Sequence, residues 1–349
     1  MKRFKKIISL AIVCMLVFAL AACSGGTKQP EPSTGGDAQQ EAQQFSFNLG
    51  IDSPEDTVTF IFAKKFSELV EAKSNGNMKV QVYANGQLGG DRELIESTQA
   101  GNVDFVVQTT APQVNFIPEL AVFDMASVFP NVETARKALD SEFEGKIGEY
   151  YEKAGLKLLG YADQGFRQMT SNKKIQSIDD FKGIKIRTME NPYHLEYWKS
   201  VGANPTPMAW GEVYIGLQQG TIDAQENPYE VIVANKIYEQ QKYVINTNHV
   251  LHILSLIMGN DKFNSLPADY QQIITDAAKE AKEYARAQAD ERIDGRVKIM
   301  NENGVEIVNI SPELQAEMAK RAESEYAMIR GKIGDDLVDG LLAAVQAAK

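Results

Sequence analysis

Residues 268–303 run for about 35 residues without a proline and are rich in Ala, Glu, Lys, Gln and Arg, so they read as one helix, with Gly295 as the place for a bend. At 1.5 Å per residue such a helix is about 50 Å long, more than the width of one small domain. It predicts two lobes linked by a shared helix, and 349 residues suffice to build both.

The chain before it alternates between two periods. Residues 45–51 alternate as a first strand, and 57–75 carry Phe62, Phe66, Leu69 and Val70 at helical spacing. A strand follows at 78–83, then a glycine-containing loop, a helix from Asp91 that Gly101 stops, and a strand at 103–108. Repeated β-α-β predicts a largely parallel sheet flanked by helices, with ligand groups in the loops after strand ends. Asp52, Glu93 and Thr109 fall in such places. Residues 114–131 read as an irregular packed connection, 132–155 as a helix, 156–161 as a buried strand and 165–170 as the next, with the change of domain nearby. Residues 242–259 hold two extended apolar runs around Asn-Thr-Asn-His, the pattern of chain returning to the first domain; that makes at least two crossings. A final strand at 305–310 precedes Ser311, an N-cap with Pro312 at the first position of the terminal helix.

Residues 183–228, GIKIRTMENPYHLEYWKSVGANPTPMAWGEVYIGLQQGTIDAQENP, build the candidate site. The β-branched run GIKIRT is a strand with Arg187 at its tip, and Asn191-Pro192 breaks it and starts a helix to about Gly202. NPTP forces an extended return, Trp210 opens a second short helix, and Gly220 caps it. One apolar scaffold thus presents Arg187, Glu190, Trp210 and Asn227 near the ends of its elements, a usual composition for a small-molecule site.

The words IRTMENP, GANPTPMAWGEVY, LQQGTIDAQENP and, upstream, GFRQMTSN resemble the DctP-type solute-binding proteins of TRAP transporters. Their order matches too: Arg167, Arg187 and Asn227 stand 20 and 40 residues apart (187 − 167; 227 − 187). QLGGDRELIE and two long helices at the end extend the similarity from about Phe45 to the C-terminus. The resemblance implies a two-lobe α/β fold of the periplasmic-binding-protein (Venus flytrap) type. Lobe I would be 45–164 and 253–292, and lobe II 165–252 and 293–349. It also implies delivery of an organic acid to TRAP permease subunits.

In the resembling proteins Arg187 would take a ligand carboxylate through two parallel charged hydrogen bonds, a geometry that suits a planar guanidinium. Arg167 would contribute to the same carboxylate environment, with a structural ion pair as the alternative. Asn227 suits a carboxylate plus an adjacent hydroxyl, or simply a turn before Pro228. Trp210 offers a flat wall for a carbon skeleton or is core, and Glu93 accepts from ligand hydroxyls or is solvated. Asp52 stands where the family often has a loop containing histidine or asparagine. The ligand class favoured is a hydroxylated acid such as a uronate or aldonate, with a C4-dicarboxylate second.

Lys2, Arg3, Lys5 and Lys6 precede an apolar run at 7–22 too short to span a bilayer comfortably, so 1–22 read as a signal peptide. Leu20-Ala21-Ala22-Cys23 looks like a bacterial lipobox, with Cys23 as the lipid-attachment residue and 23–44 as a flexible tether to the membrane. Cys14 leaves with the signal, so no disulfide framework or cysteine zinc site is available. Losing those four cations takes the net charge from −11 to −15, which argues against nucleic-acid binding. A cationic pocket in an acidic protein points instead to an anionic small ligand. No two of His194, His249 and His252 share the i, i+4 spacing of a zinc helix, and all three read as structural. No G-x-S-x-G elbow, P-loop or G-x-G-x-x-G occurs, so the reading is a binding protein without cofactor or metal. A surface sensor for a membrane receptor, and less readily an enzyme on the same two lobes, are the alternatives.

Overall fold

The computed structural model describes residues 44–349; the segment expected to be a signal peptide, the expected tether up to residue 43 and Cys23 lie outside the described residues. The strands are β1 (Phe45–Gly50), β2 (Met78–Tyr83), β3 (Phe105–Thr109), β4 (Leu156–Phe166), β5 (Gln168–Ser171), β6 (Lys185–Thr188), β7 (Asn204–Pro207), β8 (Ala224–Asn227), β9 (Tyr243–Asn246), β10 (Leu251–Gly259) and β11 (Glu306–Asn309). The helices are α1 (Val58–Lys73), α2 (Asp91–Gln99), α3 (Val132–Leu139), α4 (Glu142–Lys153), α5 (Pro192–Val201), α6 (Trp210–Gln219), α7 (Tyr229–Ala234), α8 (Asn260–Asn264), α9 (Ala268–Glu302), α10 (Pro312–Arg321), α11 (Glu323–Ile333) and α12 (Asp335–Ala348).

The strands form two sheets, ordered β2-β1-β3-β10-β4 and β11-β9-β5-β8-β6-β7. Each sheet contains one reversed strand. β10 runs antiparallel to β3 and β4, and β5 runs antiparallel to β8 and β9, while the remaining neighbours pair parallel. These reversed strands are the ones that receive the chain directly from a strand of the other sheet; β11, which the chain reaches through α9, is not reversed. Parallel strands aim their carboxyl ends at the junction between sheets, so a strand that starts at the junction must run the opposite way.

α9 is one unbroken helix of 35 residues, continuous through Gly295. Its small buried residues Ala277, Ala278, Ala281 and Ala285 pack with Phe62 and Phe66 of α1 in the core of the first sheet. Further along, Met300 packs with Val244 of β9 and Val305 in the second. Arg296 of α9 ties the two sides polarly: its Nε donates to Glu230 Oε2 on α7 at 2.7 Å and its NH1 to Asp56 Oδ2, beyond β1, at 2.8 Å.

Three expectations need correction. Residues 132–155 form two helices, because Ser141 caps a new one through Phe143 N at 3.2 Å while Asp140 leaves the first to bind Lys282 and Arg286 of α9. The chain after β11 folds into three helices, broken at Ala322 and at Gly334, whose φ is 85°. Residues 293–349 do not belong wholly with the second sheet. Leu337, Val338, Leu341 and Val345 of α12 join the first-sheet core with Val106, Phe123 and Phe143. An apolar stripe on a helix says that the face is buried, not against what.

Candidate functional site

The two sheets meet at a pair of adjoining chambers. Asp52, Asp91, Arg187, Met189 and Trp210 line both. The inner chamber adds Gln108, Thr109, Asn227 and His252, and the outer one adds Arg92, Glu93 and Glu190. Thr109, Arg187 and Asn227 sit at or next to the carboxyl ends of β3, β6 and β8. His252 reaches the same place from the opening of β10, because that strand is reversed.

Arg187 is buried, 3% exposed. Its Nε and NH2 both donate to the Met208 carbonyl, at 2.9 and 2.6 Å, and its guanidinium carbon lies 5.3 Å from the centre of the Trp210 ring. Among the described residues no carboxylate oxygen comes within 4.0 Å of it. Burial pushes its pKa down to about 10, with Glu226 opposing, so it remains cationic at neutral pH. The Trp210 indole N–H donates to Asn235 Oδ1 at 3.2 Å, which fixes the ring as a wall for the guanidinium.

Arg167 has a different place. It does not line the chambers; its Nε and NH2 grip the Glu226 carboxylate, NH2 lying 2.9 Å from Oε1, and its NH1 meets His252 Nδ1. Burial alone would raise the Glu226 carboxyl, but Arg167 and the His249 hydrogen bond at 2.9 Å hold it well below the usual carboxylate range. Of the two expectations for Arg167, this geometry matches the structural ion pair. Burial, with Arg167 adding to it, pushes His252 well below the ordinary histidine range and keeps it neutral.

Opposite Arg187 stand three acidic side chains. Among the described residues Asp52, Asp91 and Glu93 make no side-chain ion pair or hydrogen bond of their own. Desolvation is the main force raising Asp52, and desolvation followed by the Asp52 charge pushes Asp91 up to about 8. The glycine loop before α2 lets Glu93 pack closely: Gly89 has φ 118°, and a Cβ there would sit 2.7 Å from Glu93 Cβ. Glu190 pairs with Arg92 across the chamber mouth at 3.1 Å. Asn227 donates to Gln225 Oε1 at 2.7 Å and is 3% exposed.

The chambers thus bring together Arg187, Asn227, Trp210, Glu93, Glu190, Asp52 and Thr109. Sequence reasoning missed Asp91, Gln108 and His252 as lining residues. A polar Gln108 closing the apolar run Phe105-Val-Val is a legible signal; Asp91 shows in the sequence only as a helix start. Among the described residues no group of three or more His, Cys, Asp or Glu side chains is set to hold a metal ion, and no helix is long and apolar enough to cross a membrane.

Two α/β units joined by crossing strands and a shared helix, with a charged chamber at strand ends between them, define a two-lobe small-molecule binding protein. The model of the bacterial extracellular solute-binding proteins, family 7 (DctP), matches residues 49–332, and the chain belongs to this family. A solute-binding protein of Verminephrobacter eiseniae is 36% identical over 251 residues, 72% of this chain and 75% of the relative. The 2,3-diketo-L-gulonate-binding periplasmic protein YiaO of Escherichia coli is 31% identical over 264 residues, 75% of this chain and 80% of the relative. The crystal structure of the sugar acid binding protein DctPAm of Advenella mimigardefordensis with galactonate superposes with a TM-score of 0.85 at 31% identity, covering 88% of this chain and 100% of that one.

Proposed function

We propose that this chain is the extracytoplasmic binding component of a TRAP transporter and that it captures a hydroxylated monocarboxylic acid for the membrane permease subunits. The observation that carries this reading is Arg187, a buried cation on the chamber wall with no carboxylate oxygen within 4.0 Å among the described residues. Leaving a charge buried and unpaired is costly, and a ligand carboxylate supplies the missing partner. Arg187 spends two donors on a single carbonyl, so its remaining N–H groups can meet an anion.

Two features favour a hydroxylated monocarboxylate over a C4-dicarboxylate. The Arg167 charge is already matched by Glu226, so a second ligand carboxylate would have no free arginine. It would also face Asp52, Asp91 and Glu93, three acidic side chains that suit hydroxyls and offer no cation to a second carboxylate. Galactonate and 2,3-diketo-L-gulonate, which the relatives named above bind, each carry one carboxylate on an oxygen-rich chain. In the open form the carboxylate docks on Arg187, and closure of the sheet-one side brings the acidic groups onto the rest of the ligand. Cys23 would carry the lipid that tethers the protein to the membrane.

A thermal-shift panel of D-galactonate, L-gulonate, succinate and malate tests this. A ligand at one hundred times its Kd stabilises the folded state by about 2.7 kcal/mol. Shifts with the sugar acids support the reading, and shifts confined to the dicarboxylates contradict it.

A further inference from the structure

Gln108 lies on β3 at the inner chamber, 2% exposed, and neither its Nε2 nor its Oε1 has a hydrogen-bond partner. Gln113, five positions on and equally buried, shows what a structural glutamine does in this fold. Its Nε2 donates to Ser255 Oγ at 2.8 Å and to Thr109 O at 3.1 Å, and its Oε1 accepts from Tyr151 OH at 2.7 Å. Gln225, buried in β8, is likewise engaged at both ends, with Thr170 Oγ1 at 3.1 Å and Asn227 Nδ2 at 2.7 Å. A buried amide unpaired at both ends destabilises the free protein and gains only when something in the chamber meets it.

An amide with both ends free needs an acceptor for its N–H and a donor for its carbonyl. A ligand carboxylate only accepts, and a ligand ammonium only donates. A hydroxyl does both. We propose that Gln108 is a specificity-determining residue of the chamber that reads a hydroxyl-bearing carbon of the bound acid, with Nε2 donating to a ligand hydroxyl and Oε1 accepting from one. This rests on the monocarboxylate reading of Arg187 and deepens it. Arg187 selects the acid end, and Gln108 makes the carbon chain's hydroxyls a requirement. The residue therefore discriminates against deoxy acids of similar size.

The test is calorimetric titration of wild type, Gln108→Met and Arg187→Lys with D-galactonate, L-gulonate and hexanoate, a six-carbon acid without hydroxyls. Methionine keeps the volume but neither donates nor accepts strongly, and Gln108→Leu serves if it fails to fold. Wild type is expected to prefer a hydroxylated acid. Gln108→Met should weaken that acid about tenfold or more and leave hexanoate unchanged or tighter. Without ligand, the variant should melt at the wild-type temperature or above it, because a buried unpaired amide has gone. An unchanged Kd for the hydroxylated acid overturns the assignment. So does a ligand-free Gln108→Met protein that melts well below wild type, since the amide is then structural. Loss of binding in Arg187→Lys with none in Gln108→Met rejects Gln108 alone; wild type that binds none of the acids, or hexanoate best, rejects both.

Discussion

Arg167 and Glu226 form an ion pair sealed from solvent, 1% and 0% exposed, directly behind the chamber wall that carries Arg187. The two arginines stand 20 residues apart in the chain and have opposite fates (187 − 167). One has its anion built in, and the other presents its charge to the chamber.

Breaking the inner pair should therefore unfold the protein before it alters ligand choice. Arg167→Met leaves Glu226 buried with its contacts to His249 at 2.9 Å and His194 at 4.0 Å. Removing one partner of such a pair typically costs about 3–5 kcal/mol, so the urea midpoint should fall steeply. A midpoint within error of wild type would show that the pair is not structural.

Asp91 gives stability a pH slope of a definite sign. Desolvation raises its folded pKa to about 8, above the unfolded value of about 4, so its contribution is full below about pH 4 and is lost as pH rises through about 8. Asp91→Asn stays neutral throughout. Relative to wild type, the variant should gain stability between pH 5 and pH 9, read as urea midpoints at both ends. Parallel profiles for the two proteins would contradict this origin of the slope.

Much of the architecture is readable in the chain because its punctuation is local. Gly202 and Gly220 end α5 and α6 in left-handed conformations, and Ser311 caps α10 through Leu314 N at 3.2 Å, as their residue types require. Arg187, Trp210 and Asn227 are legible for the same reason, since each stands where an element begins or ends. What could not be read depends on distant partners. Glu226 gives no local sign that it neutralises Arg167, α12 does not announce which core its leucines enter, and His252 faces the chamber only because β10 is reversed.

Gly295 lies in the interior of α9, and a Cβ there would meet nothing within 4 Å. Gly295→Ala should raise stability by about 0.5–1 kcal/mol by removing the entropic cost of glycine in a helix. Chemical denaturation decides it, and a loss of stability would indicate a functional bend that the continuous helix does not display.

Arg296 joins Asp56 to Glu230, and both carboxylates also reach Arg292, at 2.6 and 3.0 Å. Arg296→Met should cost about 2–3 kcal/mol, less than loss of the Arg167 pair, because Arg292 still partly matches the buried Glu230. A cost equal to that of Arg167→Met would mean that Arg292 offers no compensation.

The carboxylate clamp is tested most directly by calorimetry on wild type and Arg187→Lys with whichever panel acid gives the largest thermal shift. Lysine keeps the charge but cannot present two parallel donors or stack on Trp210 in the same way. Loss of a buried charged hydrogen bond costs about 2–5 kcal/mol, so the variant's Kd should rise at least about tenfold while its fold persists. An unchanged Kd in a well-folded Arg187→Lys protein would contradict the account.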